Sequence, residues 1–251
     1  MDRRVKTETI QGMETAVLPP ELSGGMAGCS ALLLLTGQEP GSFLRAVRAT
    51  AGKDGTPLPV SCWLLAVKIP DWNRDCSPYP APPLREGEDS FSGGSAVFYR
   101  FLEEKIWPAF SHRYGGFPAW RGMMGYSLAG LFALHEGWRH SEYGGIASLS
   151  GSLWYPGWID RFCRSKPARD DLSLYLSLGT KEEKNRHPLL RQVGVCSLRA
   201  CDHGKRCLQN PEQLLYERLP GGHGHEVVRR DIRAIRFLAG ENEKREESSC
   251  R

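Results

Sequence analysis

The hydrophobic positions of the chain form two alternating patterns, short apolar runs and longer stretches with helical spacing. Runs of strand length lie at residues 31–36, 62–69, 120–126, 145–150, 172–178 and 213–219. Helical spacing is clear at residues 95–110 and 226–239 and weaker at 42–50 and 187–202. Strands that alternate with helices predict βαβ units around a mostly parallel sheet that is covered by helices on both faces.

The segments outside these runs locate the predicted ligand site. Residues 5–18 contain two short strand patterns split by Gly12, which predict an edge hairpin. Residues 71–83 are rich in proline and predict a rigid loop without regular structure. Ligands of parallel sheets bind beyond the carboxyl ends of the strands. The chemistry is therefore expected on the loops at residues 70–83, 126–130, 150–158, 179–187 and 220–226.

Length and charge limit the class of protein. The 251 residues are 40% hydrophobic, which suits one large core over residues 1–240, followed by a charged tail at 241–251 that we expect to be disordered. The net charge of +4 comes from 33 basic and 29 acidic residues spread along the chain, which disfavours nucleic acid as a partner. The charged N-terminus leads into no apolar signal core, and the longest aliphatic run, 31–35, is too short for a membrane span. We therefore expect a cytoplasmic protein with no membrane partner.

Three of the eight cysteines, Cys196, Cys201 and Cys207, form a cluster together with His203. Its spacing lacks the paired Cys-x2-Cys unit of structural zinc sites. Reduced thiols on a helix and the following loop are the preferred interpretation, so neither a metal nor another cofactor is predicted. A thiol-rich metal-binding protein is the weaker alternative.

Ser127 lies where an apolar strand pattern gives way to a helical pattern of small and apolar residues. This is the context of a nucleophile elbow, in which the backbone of the serine is strained and its neighbours are crowded. The positions two before and two after the serine must be very small, and here they are Gly125 and Ala129. Gly130 allows the helix to approach the sheet. An inert serine in a tight turn is the alternative interpretation.

A serine nucleophile needs a histidine base and a carboxylate that orients the histidine. The loop at 220–226 offers His223 and His225, and the loop at 179–187 offers Glu182 and Glu183. The chain order serine, acid, histidine is that of α/β hydrolases. Each of these groups also has an ordinary interpretation as a solvated loop residue.

Acyl transfer also requires hydrogen-bond donors for the oxyanion. The backbone N–H of Leu128, which directly follows the serine, is the first candidate. The second is expected from the loop after the strand at 62–69, around Asp71 and Trp72.

Five segments together resemble the esterase D and enterobactin-esterase-like branch of α/β hydrolases. They lie at residues 71–80, 125–134, 150–154, 177–182 and 220–223. The resemblance implies the three-layer α/β-hydrolase fold, no metal, and hydrolysis of carboxylic esters. It selects Ser127, Glu182 and His223 as a triad, or a Ser-His dyad with a weakly placed acid. Ala129 departs mildly from the more usual glycine. An acyltransferase or a non-catalytic member of the same fold is the alternative.

The predicted pocket is open, because too few residues separate the strand at 145–150 from the charged stretch at 164–171 for a large lid. Its expected walls are aromatic and comprise Trp72, Tyr79, Trp154, Tyr155 and Trp158. Arg74 is expected beside the oxyanion loop as a substrate-binding cation. The predicted partner is a small-molecule ester with a bulky aromatic or anionic group, and the resemblance implies siderophore trilactones as one such class.

Overall fold

The computed structural model describes residues 5–20, 25–53, 58–59 and 61–249. Within these ranges the strands are β1 Lys6–Ile10, β2 Met13–Leu18, β3 Ser30–Thr36, β4 Cys62–Lys68, β5 Pro80–Ala81, β6 Phe91–Ser92, β7 Trp120–Tyr126, β8 Gly145–Leu149, β9 Ser173–Gly179 and β10 Leu214–Leu219. The α-helices are α1 Pro40–Lys53, α2 Trp72–Asp75, α3 Ser95–Phe101, α4 Trp107–Tyr114, α5 Leu128–Arg139, α6 Trp158–Phe162, α7 Val193–Cys207 and α8 Val227–Ser249.

Eight of the strands form one sheet in the order β1-β2-β4-β3-β7-β8-β9-β10. The pairs β1–β2 and β2–β4 are antiparallel, and all later neighbours are parallel. This arrangement confirms the mostly parallel sheet and the edge hairpin. Strands β5 and β6 form a separate two-stranded piece inside the proline-rich loop region.

Both faces of the central strands are buried, which explains their continuous apolar runs. In β3, Leu32 and Leu34 pack in the core beneath α1 and α8, while Leu33 and Leu35 pack in the core on the opposite face. Successive side chains of a strand point to opposite faces, so each leucine completes one of two cores. The molecule therefore has three layers, with helices on either side of the sheet.

The helical pattern at residues 95–110 forms one long helix with an irregular centre. A π-helical turn, Leu102–Ile106, separates α3 from α4. Pro108 follows this turn and lacks the N–H that would bond to the carbonyl of residue 104. The turn before the proline widens instead. Gly115 ends α4 in the left-handed conformation, with a φ of 82°.

Three segments differ from the sequence-based predictions. Residues 71–83, for which no regular structure was predicted, contain α2 and β5, because the Asp71 side chain caps α2 by accepting from the Arg74 N–H. The short helix α6 was not predicted. Helix α8 extends to Ser249, beyond the predicted end of this helix at residue 239. Residues 250–251 lie outside the described residues.

The loops at the carboxyl edge of the sheet leave the predicted site uncovered by a large lid. The chain between β8 and β9 is described throughout and holds only the short helix α6. No helix in the described part of the chain is both long and apolar enough to cross a membrane.

Candidate active site

Ser127 occupies the bend between β7 and α5, as the sequence predicted. Its φ of 59° and ψ of −122° are unusual for a residue with a side chain. An added Cβ at Gly125 would lie 2.4 Å from the carbonyl oxygen of Ala129, and one at Gly130 would lie 2.9 Å from the carbonyl oxygen of Gly125. The glycines thus allow strand and helix to come close enough to hold the serine in this conformation.

Backbone hydrogen bonds fix Ser127 from three directions. Its N–H donates to the carbonyl of Leu149 at 2.9 Å. Its carbonyl accepts from the N–H groups of Ser152, at 2.9 Å, and Leu131, at 3.1 Å. The strained residue is therefore held by β8, by the loop after β8 and by α5.

His223 lies on the loop between β10 and α8 and bridges Ser127 to Glu182. Its Nε2 is 3.0 Å from Ser127 Oγ, and its Nδ1 is 2.7 Å from Glu182 Oε2. An ionised carboxylate only accepts hydrogen bonds, so Nδ1 carries the proton in this arrangement. Nε2 is then free to accept the hydroxyl proton of Ser127.

Glu182 follows β9 and is almost completely buried, with a side chain that is 4% exposed. Its second oxygen, Oε1, accepts from the Gly179 N–H at 2.7 Å and from Ser150 Oγ at 2.7 Å. Burial by itself raises the pKa of Glu182, but the hydrogen bonds from His223, Ser150 and Gly179 favour the ionised form and bring its pKa below the ordinary 4.5.

Arg230 on α8 completes this buried network, and no motif in the sequence points to this role. Its guanidinium is 2% exposed and donates to Ser150 Oγ at 2.8 Å and to Glu182 Oε1 at 3.2 Å. It also donates to the carbonyls of Pro220 and Gly222, which precede His223 on the same loop. The helical spacing of residues 226–239 leaves Arg230 among the polar positions of the helix, where a solvated side chain is the default expectation. The structure corrects this, because residue 230 lies in the first turn of α8, which faces the loops, and is buried.

The neighbouring candidates lie elsewhere. Glu183 accepts from Arg218 at 2.8 Å on the surface. His225 is half exposed, and its ring packs against Gly221. The structure therefore brings Glu182 and His223, but neither Glu183 nor His225, to Ser127.

Two cavities adjoin Ser127 and His223. The first, of about 390 Å³, extends toward Leu84, Trp154 and Lys181. The second, of about 280 Å³, lies between the end of β3 and the start of α8 and includes Trp72. Trp72 and Trp154 thus lie at the site, on opposite sides of the serine.

Two predicted substrate-binding residues line neither cavity. Arg74 is 52% exposed, and its Nε donates to Asp75 Oδ1 at 2.7 Å. Tyr155 is 1% exposed and donates its hydroxyl to the carbonyl of Tyr79. These contacts engage both polar groups away from Ser127 and argue against the predicted role. Tyr79 and Trp158 line a separate cavity, of about 240 Å³.

The candidate oxyanion donors lie at three chain segments. Leu128 is the first residue of α5, so its N–H has no acceptor within the helix. Trp72 is likewise the first residue of α2. Gly37 and Gln38, which follow β3, line the same cavity as Trp72 and Ser127. The sequence reasoning missed this loop, although the loop after this strand is where the fold usually supplies the second donor.

The cysteine cluster lies on α7, away from the serine. Cys196 and Cys201 are buried in the apolar core, and Cys207 Sγ lies 3.6 Å from His203 Nε2. Among the described residues, no group of three His, Cys, Asp or Glu side chains is arranged to hold a metal ion.

The sheet order, the elbow and the flanking helices define an α/β-hydrolase fold. No family model matches the chain. An uncharacterised protein of Bacillus subtilis (strain 168), YbbA, is 25% identical over 186 residues, which are 71% of this chain and 74% of that protein.

Three solved structures show the same fold. An IroE-like serine hydrolase from Shewanella oneidensis has a TM-score of 0.74 at 16% identity and covers 95% of this chain and 81% of its own. The Aspergillus nidulans siderophore hydrolases EstA and EstB have TM-scores of 0.73 and 0.71 at 18% identity. Each covers 96% of this chain, and 95% and 96% of its own. These likenesses confirm the resemblance to siderophore-esterase-like α/β hydrolases at the level of fold.

Proposed function

We propose that the protein is a serine hydrolase that cleaves carboxylic esters through Ser127, His223 and Glu182. The observation that carries this proposal is the continuous set of hydrogen bonds from Ser127 Oγ through the imidazole to Glu182, at 3.0 Å and 2.7 Å. A hydroxyl, a base and a buried carboxylate in this order are the groups that covalent ester hydrolysis requires.

In the first step, Ser127 Oγ attacks the ester carbonyl carbon, and its proton passes to His223 Nε2. The carbonyl oxygen becomes an oxyanion in the resulting tetrahedral intermediate. The intermediate collapses when the bond to the alcohol oxygen breaks and His223 returns the proton to that oxygen. The alcohol leaves, and the acyl group remains on Ser127 as an ester.

In the second step, water attacks the acyl-enzyme, and His223 accepts one of its protons. Collapse releases the carboxylic acid and returns the proton to Ser127 Oγ. Glu182 stays ionised throughout and stabilises the imidazolium that forms twice in the cycle. The buried hydrogen bonds to Glu182 Oε1 suit this role, because they hold the carboxylate in its charged form.

The oxyanion would accept hydrogen bonds from the Leu128 N–H and from a second backbone N–H in the lining of the second cavity. The loop after β3, at Gly37 and Gln38, is preferred to Trp72 as the source of the second donor. The Gln38 N–H already donates to Thr36 Oγ1 at 3.0 Å, which leaves the Gly37 N–H as the better candidate. Each such donor lowers the barrier by roughly 2.7 to 4 kcal/mol in a well-studied protease.

Siderophore trilactones are the proposed substrate class within ester hydrolysis. The support is the fold shared with two proteins described as siderophore hydrolases. Arg74 is turned to Asp75, and the cations that line the cavity with Trp154 are Lys181 and Lys184, which could bind an anionic arm of the substrate.

Steady-state turnover of p-nitrophenyl acetate tests ester hydrolysis in general, and turnover of an enterobactin-type trilactone tests the siderophore substrate class. We expect Ser127→Ala and His223→Ala to abolish the hydrolysis of each ester, with thermal stability nearly unchanged. Brisk acetate turnover without trilactone turnover would reject the siderophore class alone. Full activity of Ser127→Ala would reject the proposed nucleophile, and added alcohol acceptors that outcompete water would point to acyl transfer.

A further inference from the structure

Asp231 on α8 is a buried carboxyl at the edge of the proposed catalytic site. It is 3% exposed and lines the cavity of about 280 Å³ that also contains Ser127 and His223. The proposed chemistry uses Glu182 as its acid and leaves Asp231 without a role. A carboxyl is costly to bury without a partner, so its presence in the lining needs an explanation.

No hydrogen bond or ion pair connects Asp231 to another described side chain. The adjacent Arg230 turns away, toward Glu182 and Ser150. Asp231 and Tyr126 line the same cavity, and burial raises the pKa of the Tyr126 hydroxyl. Tyr126 itself donates to the carbonyl of His223. The Asp231 carboxyl is thus available to a molecule in the cavity.

The rest of the lining indicates which chemical group would suit this carboxyl. Leu35, Phe43, Trp72 and Val227 supply apolar walls, and the described lining contains no lysine or arginine. An anionic group would enter without a counter-charge. Burial raises the pKa of the Asp231 carboxyl well above its usual range, which favours the neutral acid. A neutral carboxyl both donates and accepts, and this matches an uncharged polar group such as a hydroxyl.

We propose that this cavity is a subsite for one arm of the ester, in which Asp231 binds an uncharged hydroxyl or amide group of the substrate. The subsite rests on the proposed ester hydrolysis and adds a selectivity to it. It lies across Ser127 from the cavity that contains Trp154 and Lys181, so the two arms of an ester would meet different surroundings. The arm on the Asp231 side would carry an uncharged polar group into this largely apolar cavity.

Matched esters that differ in one terminal group measure this selectivity. On the acyl arm, methyl 6-hydroxyhexanoate is compared with methyl heptanoate and with the methyl ester of 6-ammoniohexanoate. On the alcohol arm, 5-hydroxypentyl acetate is compared with hexyl acetate. We expect the hydroxylated ester to have the higher kcat/KM on one of the two arms, by roughly twofold to tenfold, the range for one neutral hydrogen bond.

Variants of Asp231 then test whether the carboxyl causes the preference. Asp231→Asn keeps a donor and an acceptor and should keep most of the ratio between hydroxylated and plain esters. Asp231→Leu should reduce that ratio to about one, and Asp231→Ala provides a second removal of the carboxyl without added bulk. Arg233→Leu, an exposed position on the same helix, should leave the ratio unchanged.

Three results would overturn the subsite. They are equal turnover of plain and hydroxylated esters on both arms by the wild type, an unchanged ratio in Asp231→Leu and Asp231→Ala, or a preference for the ammonium ester. Because plain esters serve as the reference, these results differ from failure of the proposed function, in which the wild type hydrolyses none of the esters.

Discussion

Replacement of Arg230 by methionine removes a cation that ties the acid, the histidine loop and the elbow strand together. Methionine keeps an unbranched apolar stem but loses every donor of the guanidinium. Glu182 Oε1 and Ser150 Oγ would each lose a hydrogen bond, and so would the Tyr126 hydroxyl. The carbonyls of Pro220 and Gly222 would lose theirs as well.

The expected loss of stability is that of removing one partner from a buried ion pair. Arg230 and Glu182 are 2% and 4% exposed, so solvent screens their interaction weakly. Removing one partner of such a pair costs about 3 to 5 kcal/mol, because the other charge is left buried. Arg230→Lys keeps a charge but has fewer donors, and we expect a smaller loss, of about 1 to 3 kcal/mol.

Activity should fall with stability, since Arg230 positions the loop that carries His223. A displacement of a catalytic group by about 1 Å can lower the rate on the order of a hundredfold. Urea unfolding and the kcat/KM for p-nitrophenyl acetate, measured below the unfolding transition, report the two effects separately. Arg233→Met is the matched control, because Arg233 pairs with Glu217 on the surface and should contribute at most about 1 kcal/mol.

The double variant of Arg230→Met with Glu182→Gln tests the pairing itself. Without the carboxylate charge, loss of the arginine should cost less than in the wild-type background, so the two free-energy changes should not add. An Arg230→Met protein with wild-type stability and wild-type kcat/KM would refute the network. Strict additivity of the two changes would show that Arg230 and Glu182 do not interact.

The remaining predictions concern the choice of histidine, the choice of acid, the pH dependence of stability and the elbow. His223→Ala should be inactive and His225→Ala active in an ester assay, and the reverse would show that the wrong histidine was selected. Glu182→Gln should lose far more kcat/KM than Glu183→Gln, whereas equal small losses would indicate a Ser-His dyad. Because folding lowers the pKa of Glu182, the ionised carboxylate stabilises the fold fully above the ordinary pKa of 4.5, and this stabilisation is lost as the pH falls through the lower folded-state pKa. The free energy of unfolding, measured from neutral pH into acid, should therefore fall less steeply for Glu182→Gln than for the wild type. Identical slopes would contradict this. Gly125→Ala places a Cβ against a backbone carbonyl and should cost at least about 1 to 3 kcal/mol with loss of activity, unless thermal unfolding shows that the turn relaxes at no cost.

Local patterns were sufficient to predict most of the fold. The strand at Trp120–Tyr126 has the predicted bounds, because the elbow at Ser127 requires a strand directly before it. The serine of the elbow and the histidine on the glycine-rich loop follow from the order of strands and loops along the chain. The sheet order brings the ends of β7, β9 and β10 to the same edge.

Features that depend on packing across the sheet were not predictable in this way. Arg230 has the same local sequence context as its solvated neighbours, and only the docking of α8 against the loops buries it. Arg74 was predicted to bind the substrate. It pairs instead with Asp75, and this pair depends on the capped helix α2, which the sequence pattern did not predict. The loop at Gly37 was overlooked because the sequence does not show which strand lies next to β7.

Labelling with a fluorophosphonate probe tests the central claim most directly, because the probe reacts preferentially with an activated serine. Peptide mass spectrometry of the labelled protein should locate the adduct on Ser127. The adduct should be absent from Ser127→Ala and form far more slowly in His223→Ala than in His225→Ala. An adduct on another serine, or equal labelling of the His223→Ala and wild-type proteins, would contradict the assignment of Ser127 and His223 as nucleophile and base.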